Sequence, residues 1–149
     1  MVDVGEKEVT RRVAVAEGVV WMQASTLAQI RDNSLQKGDV LTTAELAGVM
    51  AAKRTHELIP LCHPLAITQI DVQLRLESEA PEGFGGGVRI RAEVRCEGKT
   101  GVEMEALTAV SIAGLTVYDM AKAIDRGMRI SDVRLREKRG GRSGTILLD

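Results

Sequence analysis

Aromatic residues are almost absent: Trp21, Phe84 and Tyr118 are the whole complement of 149 positions. The core must therefore be aliphatic, and there is no set of stacking platforms of the kind that holds single-stranded nucleic acid. Cysteine is equally sparse. Cys62 and Cys96 lie far apart with no C-x-x-C pair, which suits free thiols in a reducing compartment rather than a disulfide framework. Long apolar runs are missing too. The longest, around Ala106 to Tyr118, is interrupted by Thr108, Ser111 and Gly114 and falls short of the ~20 residues of a membrane span. The first residues, with Asp3, Glu6, Lys7 and Glu8, lack the basic-then-apolar pattern of a signal peptide, so a cytoplasmic location is expected.

What is present is a balanced composition, 44% hydrophobic and 28% charged. A chain of this length buries roughly 68 to 70% of its unfolded surface, so a single domain over residues 1–149 can build a core without staples. The net charge of −1 conceals an asymmetry. From Arg126 to Arg142, seven basic residues face only Asp132 and Glu137, a local charge of +5 that leaves −6 elsewhere. Such a segment favours an anion.

Residues 8–22 alternate loosely and read as an irregular first strand. Ser25 or Thr26 can cap a short helix over residues 27–32. Thr42, with Glu45 three residues on, has the form of a capping box before a helix rich in small residues that ends ahead of Pro60. The clearest signals are two strands. Ile70, Val72, Leu74 and Leu76 alternate with polar residues, as do Val88, Ile90, Ala92, Val94 and Cys96. The turn from Pro81 to Gly87 joins them as an antiparallel hairpin, and its glycines read as loop chemistry rather than a phosphate cradle, since no helix follows. Apolar steps of three and four from Ala106 to Ile124 predict a helix over residues 101–126, stopped by Gly127. A strand over residues 132–138, with Val133 and Leu135 inward, precedes a mobile glycine turn and a short last strand near 145–148. This order is that of an α+β, ferredoxin-like split βαβ fold, an antiparallel sheet with helices packed on one face. Its open edges and half-covered face favour oligomers.

Four groups of residues have chemical potential. Two prolines bracket Cys62 and His63 in the run Leu58 to Leu65, fixing the loop's shape; a purely structural connection explains this equally. With His56 the same loop offers three candidate metal ligands, short of the four that structural zinc requires, and no metal is assigned. Asp119 and Lys122 are three apart on one helical face, either an exposed ion pair or a proton-transfer pair. Glu103 and Glu105 flank Met104 in a first helical turn, where the helix dipole favours acids, and at most one of them would share a pocket with Asp119. Lys37, Lys53, Arg54 and the C-terminal run with Lys138 are either a solvated face or a wall for several phosphates.

Taken together, six ordered motifs resemble one family. They are Lys37-Gly38-Asp39-Val40, Ala51 to Thr55, Ile59 to Leu65, Gly98 to Ala106, Val117 to Ala123 and Lys138 to Gly144. From about Arg12 onward the chain is similar to the MoaC family of molybdenum cofactor biosynthesis, the cyclic pyranopterin monophosphate synthases. The resemblance implies a ferredoxin-like lyase, a homohexamer built as a trimer of dimers, with active sites at subunit interfaces. It implies a small-molecule substrate, 3′,8-cyclo-7,8-dihydro-GTP, converted to cyclic pyranopterin monophosphate and pyrophosphate. Asp119 and Lys122 would be the catalytic acid–base pair. Leu61, Cys62 and His63, with Met104 and Glu105, would line the substrate. Lys37, Lys53 and Lys138 match further active-site lysines, and Arg12 an arginine supplied across the interface.

Ring opening and reclosure need repeated proton transfers, which suit Asp119, Lys122 and His63. Closing a cyclic phosphate with loss of pyrophosphate needs cations. Cys62 reads as a pocket wall rather than a nucleophile. No cofactor is expected beyond Mg²⁺ that could accompany the triphosphate, for which the sequence offers no dedicated carboxylate pair. Neither nucleic acid nor membrane is expected as a partner. The competing readings are a non-catalytic module binding RNA or nucleotide through its basic segment, and a relative that has kept the fold but lost activity.

Overall fold

A computed structural model describes residues 1–149. The elements run β1 (Thr10–Met22), α1 (Ala24–Arg31), α2 (Val40–Lys53), α3 (Thr55–Leu58), β2 (Ile67–Glu77), β3 (Gly86–Gly98), α4 (Glu103–Ala121), β4 (Arg129–Arg139) and β5 (Ile146–Leu147). All strands join one antiparallel sheet in the order β2-β3-β1-β4-β5. Its first four strands have the ferredoxin-like arrangement, and β5 extends the β4 edge. No helix is long and apolar enough to cross a membrane.

The alternation read at residues 88–96 is realised in full: Val88, Ile90, Ala92, Val94 and Cys96 are all buried under the helices. Loose alternation in β1 has a different cause. This strand is central, between β3 and β4, and is buried on both faces. Ala14, Ala16, Val20 and Met22 face the helices. Val13 and Val15 lie on the opposite face, paired in the register with Arg95, Glu93, Arg139 and Glu137. On that face Arg95–Glu93 and Arg139–Glu137 form ion pairs.

Helices α2 and α4 pack tightly because their contact faces are small. Ala44, Gly48, Ala51 and Ala52 are buried on α2, and Ala106, Ala109 and Ala113 on α4. A Cβ at Gly48 would come within 3.1 Å of the Ala109 carbonyl oxygen, so a side chain there would force the helices apart. Two contacts establish that the helices run antiparallel. Lys37, just ahead of α2, reaches Asp119 near the end of α4, while His56, just past α2, lies within electrostatic reach of Glu105 at the start.

Three local expectations are corrected. Asp39, not Thr42, caps α2: its Oδ1 accepts from the Thr42 N–H at 2.9 Å and its Oδ2 from the Thr42 hydroxyl at 2.8 Å. Helix α1 begins at Ala24 without a local side-chain cap, and Thr26 is buried inside it. Helix α4 ends at Ala121 because the chain turns sharply, and residues 122–128 form a hydrogen-bonded turn instead of a last helical turn. Val133 does point to the helix face, its Cγ2 3.2 Å from where a Gly18 Cβ would stand beside Val110, although 38% of it stays exposed; the irregularity falls on Asp132, at a positive φ of 55°, where the β1–β4 register shifts between Glu17 and Val19.

Candidate active site

The residues singled out from the sequence fall at the two ends of α4. At its C-terminal end, the Asp119 carboxylate receives two ammonium groups, Lys122 Nζ at 2.6 Å on Oδ1 and Lys37 Nζ at 2.6 Å on Oδ2. Lys37 also donates to the Asp119 carbonyl oxygen at 3.0 Å. Three-residue spacing places Lys122 beside Asp119, and the loop after α1 delivers Lys37. All three side chains are about half exposed. Hydrogen bonds from Lys122 and then Lys37 pull the Asp119 pKa down to about 2. Asp119 is thus ionised at neutral pH. One carboxylate stands between two lysine side chains, and the cluster as a whole presents positive charge.

At the N-terminal end the situation is reversed. Glu105 is 4% exposed, and burial pushes its carboxyl above the ordinary value. Met104 and Glu105 border a small pocket with Cys62, His63 and Leu65, so the loop fixed by its prolines does meet the start of α4. Leu61 is exposed, alongside this pocket rather than in it. Burial, reinforced by the Glu105 charge, raises the Cys62 thiol pKa. Cys62 is therefore a weak nucleophile at neutral pH. No three His, Cys, Asp or Glu side chains converge as a metal site.

Thr100, Gly101 and Glu103 continue this pocket into a polar cleft of about 720 Å³. Arg12, Lys99, Lys138 and Arg142 line it, opposed by Glu103 and by Glu6 and Glu8 of the N-terminal segment. Buried Arg12 donates to the Gly98 carbonyl at 3.3 Å, and Lys138 Nζ lies 3.6 Å from Glu103 and 2.7 Å from the Ser143 hydroxyl. The main chain at Gly141, with φ of 72°, passes so close to the Arg12 guanidinium that a Cβ would overlap it. Lys53 stands at the end of α2 in a shallow groove that shares Leu65 with the His63 pocket.

The strand register divides the C-terminal basic run. Arg134 and Arg136 turn to Glu17, Arg139 to Glu137, and Arg129 lies over the Phe84 ring at 4.7 Å. Only Lys138 and Arg142 of that run reach the cleft. Lys99, Thr100, Arg142 and Ser143 were not singled out individually as site residues. Their signal was present in the motifs Gly98 to Ala106 and Lys138 to Gly144, which carry them.

The two clusters do not meet within one chain. Sixteen residues separate Glu103 from Asp119 along α4, an axial distance of about 24 Å at ~1.5 Å per residue. Neither glutamate shares a pocket with Asp119. Arg12, expected from the resemblance to face its partners across an interface, stands in the same chain's cleft as Lys138 and Glu103.

Comparison with known proteins agrees with the motifs. The MoaC family model matches residues 1–141. A cyclic pyranopterin monophosphate synthase from Methylobacterium sp. (strain 4-46) is 59% identical over 149 residues, covering 100% of this chain and 90% of the relative. Proteins of the same name from Methylobacterium nodulans and Chloroflexus aurantiacus are each 60% identical over 144 residues, covering 97% of this chain and 87% and 85% of theirs. With a family match spanning the sheet, both ends of α4 and the Lys138 strand, the chain belongs to the MoaC family.

Proposed function

We propose that this chain is a cyclic pyranopterin monophosphate synthase, a lyase that converts 3′,8-cyclo-7,8-dihydro-GTP to cyclic pyranopterin monophosphate and pyrophosphate. The observation that carries the reading is the pairing of a doubly ammonium-bound Asp119 with a separate cationic cleft containing Arg12 and Lys138. The first suits proton transfer and the second suits a triphosphate.

In this reading the site is shared between copies of the chain. One copy supplies Lys37, Asp119 and Lys122, and another supplies Arg12, His63, Met104, Glu105 and Lys138. The separation of about 24 Å along α4 supports this, because a nucleotide-sized ligand cannot span both clusters of one chain. Exposed apolar side chains on the outside of the helices, Leu46 and Met50 on α2 and Leu115 on α4, offer surface for the hexameric packing the family resemblance implies. A cytoplasmic location follows as part of the same reading.

The residues divide the work by charge. Lys138, Arg12 and Arg142 hold the phosphates and neutralise charge as a sugar hydroxyl attacks the α-phosphorus and pyrophosphate leaves. Lys122, hydrogen-bonded to Asp119, gives a proton to a ring nitrogen. An anionic substrate that draws a lysine away frees Asp119 to accept one. His63 and Glu105 stand at the pocket between the phosphate and ring ends, with Cys62 as wall. Lys53 extends the cationic surface beside that pocket. No cofactor of the protein is invoked, and Mg²⁺ would enter only with the triphosphate.

The test is to incubate the pure protein with the cyclised GTP and to measure pyrophosphate and, after oxidation, the fluorescent pterin. Equal amounts of both are expected. Absence of both overturns the reading.

A further inference from the structure

One buried carboxylate lies outside both clusters. Asp125, 8% exposed, sits in the turn after α4. Its Oδ2 accepts from the Gln23 N–H at 2.9 Å and the Thr26 hydroxyl at 3.0 Å, and its Oδ1 from the Gly127 N–H at 3.1 Å. These donors are neutral, and no Lys or Arg side chain bonds to it. A carboxylate is expensive to bury, and here only hydrogen bonds and the positive end of α1 compensate. Gln23 is the N-cap position of α1 and makes no side-chain cap of its own. The cap that α1 lacks is thus supplied from about a hundred residues away, by the turn that follows Lys122.

The consequence lies at the other end of the same segment. Residues 23–37 touch the end of α4 twice, at Gln23 and Thr26 through Asp125 and at Lys37 through Asp119. The intervening loop is short and bent, with Asn33 at φ of 52° and Gly38 at 91°. Displacement of α1 would therefore carry Lys37 away from Asp119. We propose that Asp125 is a positioning residue that fastens α1 to the end of α4 and thereby sets the Lys37–Asp119 contact. The proposal rests, for its catalytic consequence, on the function given above.

Asp119 itself reports the contact, since the charged groups facing it are Lys122, just past the end of its own helix, and Lys37 from the α1–α2 loop. The experiment is a ¹³C NMR titration of the Asp119 carboxyl in the full chain, with kcat and KM measured alongside, in Thr26→Val, Thr26→Ser, Asp125→Asn and Lys37→Met. Thr26→Val and Asp125→Asn are expected to shift the Asp119 titration upward, in the direction of Lys37→Met, and to lower kcat by roughly ten- to a hundredfold, since misplacement by ~1 Å can cost that much. Thr26→Ser should restore both, and Thr26→Val added to Lys37→Met should shift the titration no further. If Thr26→Val and Asp125→Asn lower the melting temperature but leave the Asp119 titration at its wild-type position, Asp125 is only a structural cap and the proposal is overturned. A titration that shifts while turnover is unchanged supports the positioning role and counts against the catalytic role of the cluster.

Discussion

The two ends of α4 hold carboxylates in opposite conditions, although both stand on one helix and both match family motifs. Glu105 is buried and its pKa is raised by loss of water; Asp119 is exposed and its pKa is drawn down to about 2 by two lysines. The contrast shows that residue type and spacing leave the state of an acid undetermined. Neighbours decide it: apolar packing and the Cys62–His63 loop at one end, and the chain's return from α1 with Lys37 at the other.

The strongest way to break the comparison is at the exposed end. Asp119→Asn or Lys122→Ala should reduce turnover by roughly 10²- to 10⁴-fold, the range of a lost acid–base group. Because the cluster is exposed, the melting temperature should barely change. Near-wild-type pyrophosphate release from either variant would remove the cluster from the chemistry.

A smaller loss is expected at the cationic cleft. Lys138→Ala should weaken binding of inorganic pyrophosphate, read by calorimetry, by about ten- to a hundredfold, as for hydrogen bonds between charged groups of ~1.5–3 kcal/mol. The same change in Arg134, which faces Glu17, should leave that binding unaltered.

The smallest effect is one of stability and has opposite signs at the two ends. Glu105 has a folded pKa above its ordinary 4.5, so ionising it costs stability, and the cost grows as pH rises past that value. Glu105→Gln should therefore raise the melting temperature at neutral pH, with the gain vanishing below about pH 4. Asp119 behaves conversely. Its contribution is fully present above 3.8 and is lost as pH falls through about 2, and solvent screening keeps it small, so Asp119→Asn should cost only a little stability, and only above that window.

The sequence revealed most where local pattern alone decides structure. The hairpin from Ile67 to Gly98 and the long helix were legible because alternation and helical periodicity need no partner. Misreadings occurred where distant residues intervene. Thr26 looked like a cap and is instead a donor to Asp125 from across the molecule. For the site, the motifs named both clusters, but only the length of α4 shows that they cannot act on one ligand within one chain.

That division is the central claim, and mixing impaired chains tests it directly. Asp119→Asn and Lys138→Ala chains, each impaired alone, would be unfolded together, reassembled and assayed for pyrophosphate release at a substrate concentration where each variant alone is nearly silent. If each site takes one cluster from each of two copies, random pairing across a two-fold interface restores about a quarter of the wild-type sites. Recovery near that level is predicted. Activity that never rises above that of the separate variants, in assemblies shown to contain both chains, would contradict a shared site.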